Sequence, residues 1–230
     1  INKYMDVGDV NSVGVFGVGE AKNWIGYEGS VKEFHGVELS FSRLQFANSN
    51  LTKVPGIDNF NLIKGDASQR IFQNNSFDMA ITLHSVEPNG NSQGALMLEN
   101  VINSSSKYVL LFELDFSTAS EEMKKRMILH DYVRNIEETI SMNDSVSIKE
   151  KFFMDVQEND SNLTTCWVLE KKVKDQSKFD YACPFTGCIL ERHEDFLYSP
   201  EAGLAFPSIG NSWCLNKADA IFIGFAEQEM

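Results

Sequence analysis

The chain has 230 residues, 43% of them hydrophobic, which is enough to bury a substantial core. Its net charge of −13 argues against nucleic acid and anionic membranes as partners, because such a surface repels phosphate groups. No apolar run reaches the roughly 18 residues that a transmembrane helix needs, and four cysteines are too few for a disulfide framework in a chain this long. We therefore expect a reduced, cytoplasmic protein.

The first two thirds of the chain alternate between strand-like and helix-like segments. Short apolar runs predict strands at 13–16, 34–39, 62–64, 77–83 and 108–113. Three helices are predicted: one that begins near Glu20, one that follows the capping residue Ser40, and one over 96–102. Because parallel strands need helical crossovers, this order predicts an α/β fold with a doubly wound, Rossmann-like, mostly parallel sheet.

The pattern changes after the fifth strand. Thr118 and Glu121 have the spacing of a capping box, and apolar residues recur at helical intervals from Met123 to Ile140. Two strand candidates follow, at 145–156 and 163–171, with only a polar turn at 157–162 between them. So short a connection predicts an antiparallel hairpin that closes the parallel sheet.

A charged linker at 171–178 predicts the boundary between a main domain, 1–172, and a C-terminal module, 179–230. The module is rich in aromatic residues, glycine and proline, and it lacks helical periodicity. We expect a small β-rich appendage that is too short to fold reliably alone.

A glycine turn after the first strand is the first candidate binding site. Gly17 and Gly19 allow a ligand to approach the backbone, and the N-terminus of the predicted helix that follows offers unpaired N–H donors. Glu38 ends the next strand, where a carboxylate can accept hydrogen bonds from both hydroxyls of an adenosine ribose. Folds that bind NAD and folds that bind S-adenosylmethionine share this pairing, and a tight turn with a solvated glutamate is the alternative without a ligand. Asp66, after the third strand, can accept from an adenine amino group and favours the methyl donor.

Four short runs appear in a fixed order between residues 13 and about 171: Val-Phe-Gly-Val-Gly-Glu-Ala, Gly-Val-Glu-Leu-Ser, Gly-Asp-Ala and Phe-Asp-Met-Ala-Ile-Thr-Leu-His. In this order they resemble the motifs of class I S-adenosylmethionine-dependent methyltransferases. The resemblance implies S-adenosylmethionine as the cofactor, with the glycines beneath its methionine and ribose parts. It assigns cofactor contacts to Gly17, Val18, Gly19, Glu38, Leu39, Asp66, Ala67 and Leu83.

Two positions depart from the family pattern. Val15 stands where the family usually has Asp or Glu, so the methionine ammonium must find a backbone carbonyl or Glu20 instead. Ala21 replaces the third glycine, which is a milder change. A methyltransferase fold that binds without catalysing is therefore one alternative function. An NAD-dependent oxidoreductase is another, although it leaves Asp66 and the terminal hairpin unexplained.

His84 follows the fourth strand and is the candidate catalytic residue. A hydroxyl acceptor must lose its proton during methyl transfer, and an imidazole can take it near neutral pH. A histidine that is only structural is the alternative. Glu87, which can also orient His84, is predicted with Asn89 and Glu113 to contact the acceptor, although each can instead belong to a turn or a solvated surface.

The cysteines of the C-terminal module do not have the paired spacing of a structural zinc site, so we predict no metal. The run 198–210 nevertheless resembles the strand–turn–strand of small zinc-ribbon or treble-clef modules, which are known as partners of methyltransferases. The sequence thus predicts a methyltransferase with a degenerate module of this kind. Its predicted acceptor is a small or sugar-like molecule, methylated on oxygen, with bacterial surface-glycan biosynthesis suggested by resemblance alone.

Overall fold

The structure, a computed structural model, describes residues 10–57, 59–154 and 163–224. Four α-helices lie in this part of the chain: α1 (Phe41–Leu51), α2 (Gly90–Ser104), α3 (Glu121–Leu129) and α4 (Ile136–Ser141). The first seven strands are β1 (Ser12–Phe16), β2 (Glu33–Glu38), β3 (Phe60–Lys64), β4 (Phe77–Leu83), β5 (Ser105–Leu114), β6 (Val146–Phe153) and β7 (Thr164–Lys171). The last five are β8 (Glu191–Arg192), β9 (Phe196–Ser199), β10 (Leu204–Ile209), β11 (Ser212–Cys214) and β12 (Ile221–Phe222).

The central sheet has the strand order β3-β2-β1-β4-β5-β7-β6. The first five of these strands are parallel, and β7 lies antiparallel between β5 and β6. The predicted doubly wound, mostly parallel sheet with a closing hairpin is therefore confirmed. The polar turn predicted at 157–162 lies outside the described residues.

Helices cover both faces of the sheet. Val15 and Phe16 are adjacent in β1 and point to opposite faces, and each belongs to a different buried cluster. The cluster of Val15 includes α1 through Leu44, whereas the cluster of Phe16 includes α2 through Leu98 and α4 through Ile140. Apolar burial on both faces explains why the parallel strands read as continuous hydrophobic runs.

The helix predicted to begin near Glu20 does not form. Only a 3₁₀ turn, Lys22–Trp24, follows the glycine turn. Ala21 has a left-handed backbone with φ of 56°, and Gly19 has φ of 59°, so the chain cannot continue in right-handed helical geometry there. Trp24 is instead buried against Phe34, with ring centroids 4.8 Å apart.

The predicted capping box at Thr118 is wrong, and the periodic segment that follows it does not form one continuous helix. Ser120 is the N-cap of α3, and its hydroxyl accepts from the backbone N–H of Met123 at 3.2 Å. The periodic segment divides into α3 and α4, because Asp131 has φ of 48° and interrupts the helix.

The C-terminal segment extends the central sheet. β11 pairs parallel with β3, and β10, β9 and β8 follow it in antiparallel order, with β12 also on β10. Leu197, Phe206 and Trp213 are buried in the same cluster as Phe16. The predicted β-rich character is therefore present, whereas the division of the chain into two units stays a prediction.

The zinc-ribbon resemblance has no support in the structure. Within the described ranges, no group of three or more His, Cys, Asp or Glu side chains is placed to hold a metal ion. All four cysteines are unpaired, and only Cys188 is exposed. In the same ranges, no helix is long and apolar enough to cross a bilayer.

We expect Asp219→Ala to lower the free energy of unfolding by about 1 kcal/mol. Lys64, at the end of β3, donates to both Asp219 carboxylate oxygens at 2.7 and 2.5 Å, and both side chains are about a quarter exposed. Urea unfolding measures the change. Glu194→Ala, which removes an exposed carboxylate of the same segment, is the matched control, and an equal loss in both variants contradicts a role for the ion pair.

Candidate functional site

A cleft of 260 Å³ opens at the carboxyl ends of β1 to β4. Six of the predicted cofactor residues line it: Gly17, Glu38, Leu39, Asp66, Ala67 and Leu83. His84 and Asn89 also line it, whereas Val18 and Gly19 are not among its lining residues. The cleft is close to the lower size limit, about 300 Å³, of typical small-molecule sites.

The glycine turn is held close to β2 and to the loop after β4. Gly17 has φ of 77°, and a Cβ atom there would lie 2.3 Å from the Cβ of Ser85. The N–H groups of Gly17 and Val18 both donate to the carbonyl of Val37, at 2.8 and 2.9 Å. Glycine is therefore required at residue 17 by both the backbone conformation and the close approach.

Glu38 ties the glycine turn to the start of α1. Its carboxylate accepts from the backbone N–H groups of Gly19 and Ser40, at 3.1 and 2.9 Å, and lies 3.6 Å from Arg43 Nη1. The side chain is buried but lines the cleft. Because a carboxylate offers about four acceptor positions, it retains capacity for a ligand hydroxyl.

Asp66 is fixed by the turn that follows β3. One of its oxygens accepts from the backbone N–H and the hydroxyl of Ser68, at 2.9 and 2.7 Å. The other accepts from Gln69 Nε2 at 3.3 Å. Asn100, on α2, donates to the carbonyl of Ala67 at 3.2 Å and links this turn to the helix.

His84 lies between a carboxylate and a hydroxyl. Its Nδ1 is 3.2 Å from both Glu87 oxygens, and its Nε2 is 2.9 Å from Thr164 Oγ1. The residue has φ of 48°, and its N–H donates to the carbonyl of Phe112 at 2.8 Å. Because an ionised carboxylate only accepts, this arrangement places the imidazole proton on Nδ1 and leaves the Nε2 lone pair toward Thr164.

Sequence reasoning missed Thr164. It begins β7, and Leu114, at the end of β5, is its partner in the antiparallel register. The hairpin was predicted, and an antiparallel β7 must start at the edge where β5 ends. That signal could have placed Thr164 near His84.

Glu113 is completely buried and does not line the cleft, and its predicted contact with an acceptor stays a prediction. Its carboxylate accepts from the N–H groups of Ser85, Val86 and Glu87, each at 3.2 Å. Burial, and secondarily the charge of Glu87, raise the pKa of Glu113 to about 7. The residue therefore holds the loop that carries His84.

Glu87 and Asn89 also support this loop. Glu87 is buried and accepts from the N–H of Leu114 at 2.8 Å, so its carboxylate is shared between β5 and His84. Asn89 Nδ2 donates to the carbonyls of Ser85 and Val86, at 2.5 and 3.1 Å. Of the three predicted acceptor contacts, only Asn89 lines the cleft.

The position of the family's missing carboxylate is apolar. Val15 is buried within β1, opposite Gly36 and Ile81. Glu20, the predicted substitute, pairs with Lys22 at 2.6 Å and is not among the residues that line the cleft. Glu38 and Asp66 are the carboxylates that line it.

No family model and no curated protein matches this chain. Solved structures do match. The N-methyltransferase NodS from Bradyrhizobium japonicum, in complex with S-adenosylhomocysteine, aligns with a TM-score of 0.58 and 10% identity, over 73% of this chain and 81% of NodS. The chain has a methyltransferase fold.

Other matches to this fold act on different acceptors. Magnesium protoporphyrin IX methyltransferase ChlM from Synechocystis, with bound S-adenosylhomocysteine, has a TM-score of 0.56 and 12% identity, over 70% of this chain and 74% of ChlM. The small RNA methyltransferase HEN1 has a TM-score of 0.57 and 14% identity, over 78% of this chain and 25% of HEN1. At such identities the likeness shows the fold and leaves the acceptor open.

Proposed function

We propose that this chain is a methyltransferase that binds S-adenosylmethionine in the cleft at the ends of β1 to β4. The observation that carries the proposal is the convergence of the Gly17 turn, Glu38 and Asp66 on one cleft, with His84 at its edge. Ligands of open α/β sheets bind at the carboxyl ends of the strands, which is where this cleft lies.

The residues of the cleft fit an adenosyl ligand. Gly17 provides a wall without a side chain, and Glu38 retains acceptor capacity for the ribose hydroxyls. Asp66 is oriented by Ser68 and can accept from the adenine amino group. Leu39 is 60% exposed and, with Leu83, offers apolar surface to the adenine ring. The proposed contacts of Val18, Gly19 and Ala67 with the ligand are made by their backbone atoms.

His84 is proposed to take the proton of a hydroxyl acceptor. When bound, S-adenosylmethionine would supply an activated methyl group, which the acceptor oxygen would displace from the sulfonium with S-adenosylhomocysteine as the leaving group. The hydroxyl proton passes to Nε2 of His84 through the Thr164 hydroxyl, which lies 2.9 Å away. Glu87 keeps the imidazole oriented, and it stabilises the imidazolium that forms.

One observation favours a second candidate, a binding protein with this fold that does not catalyse. Val15 leaves the methionine ammonium without the carboxylate that the family usually provides, and Glu20 is engaged with Lys22. The oxidoreductase alternative is weaker, because an NAD-binding fold does not account for the β6–β7 hairpin.

The proposed acceptor is a small or sugar-like molecule in the cytoplasm, and the net charge of −13 argues against nucleic acid. A role in surface-glycan biosynthesis rests only on the sequence resemblance of the C-terminal segment. The boundary between 1–172 and 179–230 also remains part of this proposal.

We expect Glu38→Ala to weaken the binding of S-adenosylhomocysteine by more than about tenfold, since a carboxylate that accepts from two hydroxyls is lost. Isothermal titration calorimetry measures the change. Glu33→Ala is the matched control, because it removes an exposed glutamate at the opposite end of β2. Glu38→Gln keeps the side-chain volume but removes the charge. Comparison of the two variants shows whether the loss of affinity comes from the missing carboxylate or from a glycine turn that is held less firmly.

Calorimetry with S-adenosylmethionine, S-adenosylhomocysteine and NAD separates the candidates. Binding of both adenosyl ligands, with S-adenosylhomocysteine released when hydroxylated acceptors are added, supports the enzyme. Binding without release against a broad acceptor panel favours the binding protein. A change below about twofold in Glu38→Ala contradicts the ribose role, and binding of NAD alone overturns the proposal.

A further inference from the structure

A second pocket, of 200 Å³, lies beyond the ends of β5 and β7. Leu114, Ala119, Met123 and Leu163 line most of it. Leu114 and Met123 are buried, and they form a small cluster with Met127 that Ala119 packs against. Leu163 is 40% exposed, at the mouth. The pocket therefore has a mainly apolar lining, which Asp115, Thr118 and Ser120 complete.

Thr164 adjoins this pocket and contacts His84, which lines the cofactor cleft. Thr164 pairs with Leu114 across the β5–β7 ladder and directly follows Leu163 in the chain, so two of its neighbours line the pocket. Its hydroxyl lies 2.9 Å from Nε2 of His84, and His84 lines the cleft. A molecule seated in the pocket can thus bring a polar atom to the same hydroxyl–imidazole pair.

The charge at the pocket is only partly compensated, because one lysine is shared by two carboxylates. Asp115, which also lines it, is buried and lies 2.7 Å from Lys151 Nζ, and Lys151 also contacts Glu137 at 2.5 Å. Neither a lysine nor an arginine is among the lining residues. An anionic group therefore gains no ion pair there.

Thr118 and Ser120 also line the pocket. The Thr118 hydroxyl donates to the carbonyl of Asp115, and the Ser120 hydroxyl accepts from the N–H of Met123. Because both hydroxyls already have a partner, a polyhydroxylated group gains less there than it loses in water.

We propose that this pocket binds the apolar body of the acceptor, a single aromatic ring or short alkyl chain that carries a hydroxyl. The inference rests on the proposed function, and it selects an apolar alcohol or phenol over a sugar. The hydroxyl faces Thr164 and His84, while the ring contacts Leu114, Ala119 and Met123. Burial of such a group is favourable because it removes apolar surface from water.

Fluorine NMR with 4-fluorophenol tests the pocket, in the presence of saturating S-adenosylhomocysteine. We expect 4-fluorophenol to bind the wild-type protein and 2-deoxy-2-fluoroglucose not to bind. Ala119→Leu fills the interior and Leu163→Trp fills the mouth, and each is expected to weaken binding by about fivefold or more. Lys125→Leu, on the exposed side of α3, is the matched control and keeps wild-type affinity.

Calorimetry on the same samples separates the two proposals. If S-adenosylhomocysteine binds but 4-fluorophenol does not, or if both filling variants bind it as well as the wild type does, the pocket inference is overturned and the cofactor proposal stands. Preference for the fluorosugar also overturns the inference. If S-adenosylhomocysteine does not bind, the proposed function fails, whatever the phenol does.

Discussion

His84→Ala is expected to lower the rate of methyl transfer by about 100-fold, because a positioned general base typically contributes a factor of that order or more. Affinity for S-adenosylhomocysteine should change little, since the cofactor contacts are assigned to Glu38, Asp66 and the glycine turn. Release of S-adenosylhomocysteine, measured with the best acceptor from a panel of phenols, alcohols and sugars, gives the rate. Calorimetry gives the affinity.

The left-handed backbone at His84 complicates the alanine variant, because alanine tolerates φ of 48° poorly. His84→Asn is therefore the better-matched change, since asparagine accepts this conformation and lacks a base. His130→Ala, an exposed histidine after α3, is the control. Unchanged turnover in both His84 variants removes the residue from the chemistry.

Glu87 is a positioning residue and Thr164 relays the proton, so their variants should differ in signature from each other and from the His84 variants. Glu87→Gln removes the charge 3.2 Å from Nδ1, so the pH profile of turnover should shift while the rate at its optimum falls less than in His84→Asn. Thr164→Val interrupts the route to Nε2 and should lower turnover without moving the pH profile.

The sequence predicted the sheet well because its signals are local. Continuous apolar runs such as Phe77–Leu83 mark parallel strands that are buried on both faces. The six polar residues at 157–162 leave no room for a crossover helix, so the sequence predicted an antiparallel hairpin. The order of glycine turn, Glu38 and Asp66 then placed the cleft, because parallel strands present their carboxyl ends at one edge.

The features that the sequence did not show depend on contacts between distant segments. Nothing in the run that forms β11 indicates that it pairs with β3, about 150 residues earlier in the chain. Glu113 lies near the end of β5 at the expected edge of the sheet, yet it is buried there and accepts hydrogen bonds from three backbone N–H groups. Alanine is the strongest helix former, so nothing in the sequence indicates that Ala21 adopts a left-handed backbone conformation. The sequence therefore could not exclude a helix near Glu20.

We expect acid to destabilise the protein through His35, a residue outside the proposed site. His35 lies in β2, is buried, and its Nδ1 has no hydrogen-bond partner among the described residues. Its ring stacks on Phe179, with centroids 4.0 Å apart, and packs beside Phe77 at 5.2 Å. Burial lowers the pKa of His35 to about 3, so the imidazole stays neutral in the folded protein.

The sign of the effect follows from the two protonation equilibria. The unfolded chain binds a proton at His35 below its ordinary pKa of about 6.5, whereas the folded protein does not bind it until about pH 3. Above the unfolded pKa both states are neutral and the residue contributes no pH dependence. Between these values each pH unit costs about 1.4 kcal/mol, which makes a loss of about 2 kcal/mol from pH 7.5 to pH 5.0.

His35→Phe should remove this part of the pH dependence, because phenylalanine fits an aromatic cluster and does not titrate. Urea unfolding at pH 7.5 and 5.0 measures the difference, and titrations of carboxylates cancel between variant and wild type. His193→Phe, which replaces an exposed histidine stacked on Phe196, should keep the wild-type slope. If His35→Phe loses as much stability on acidification as the wild type, then the pKa of His35 is not lowered in the folded state and the ring of Phe179 does not shield it from water.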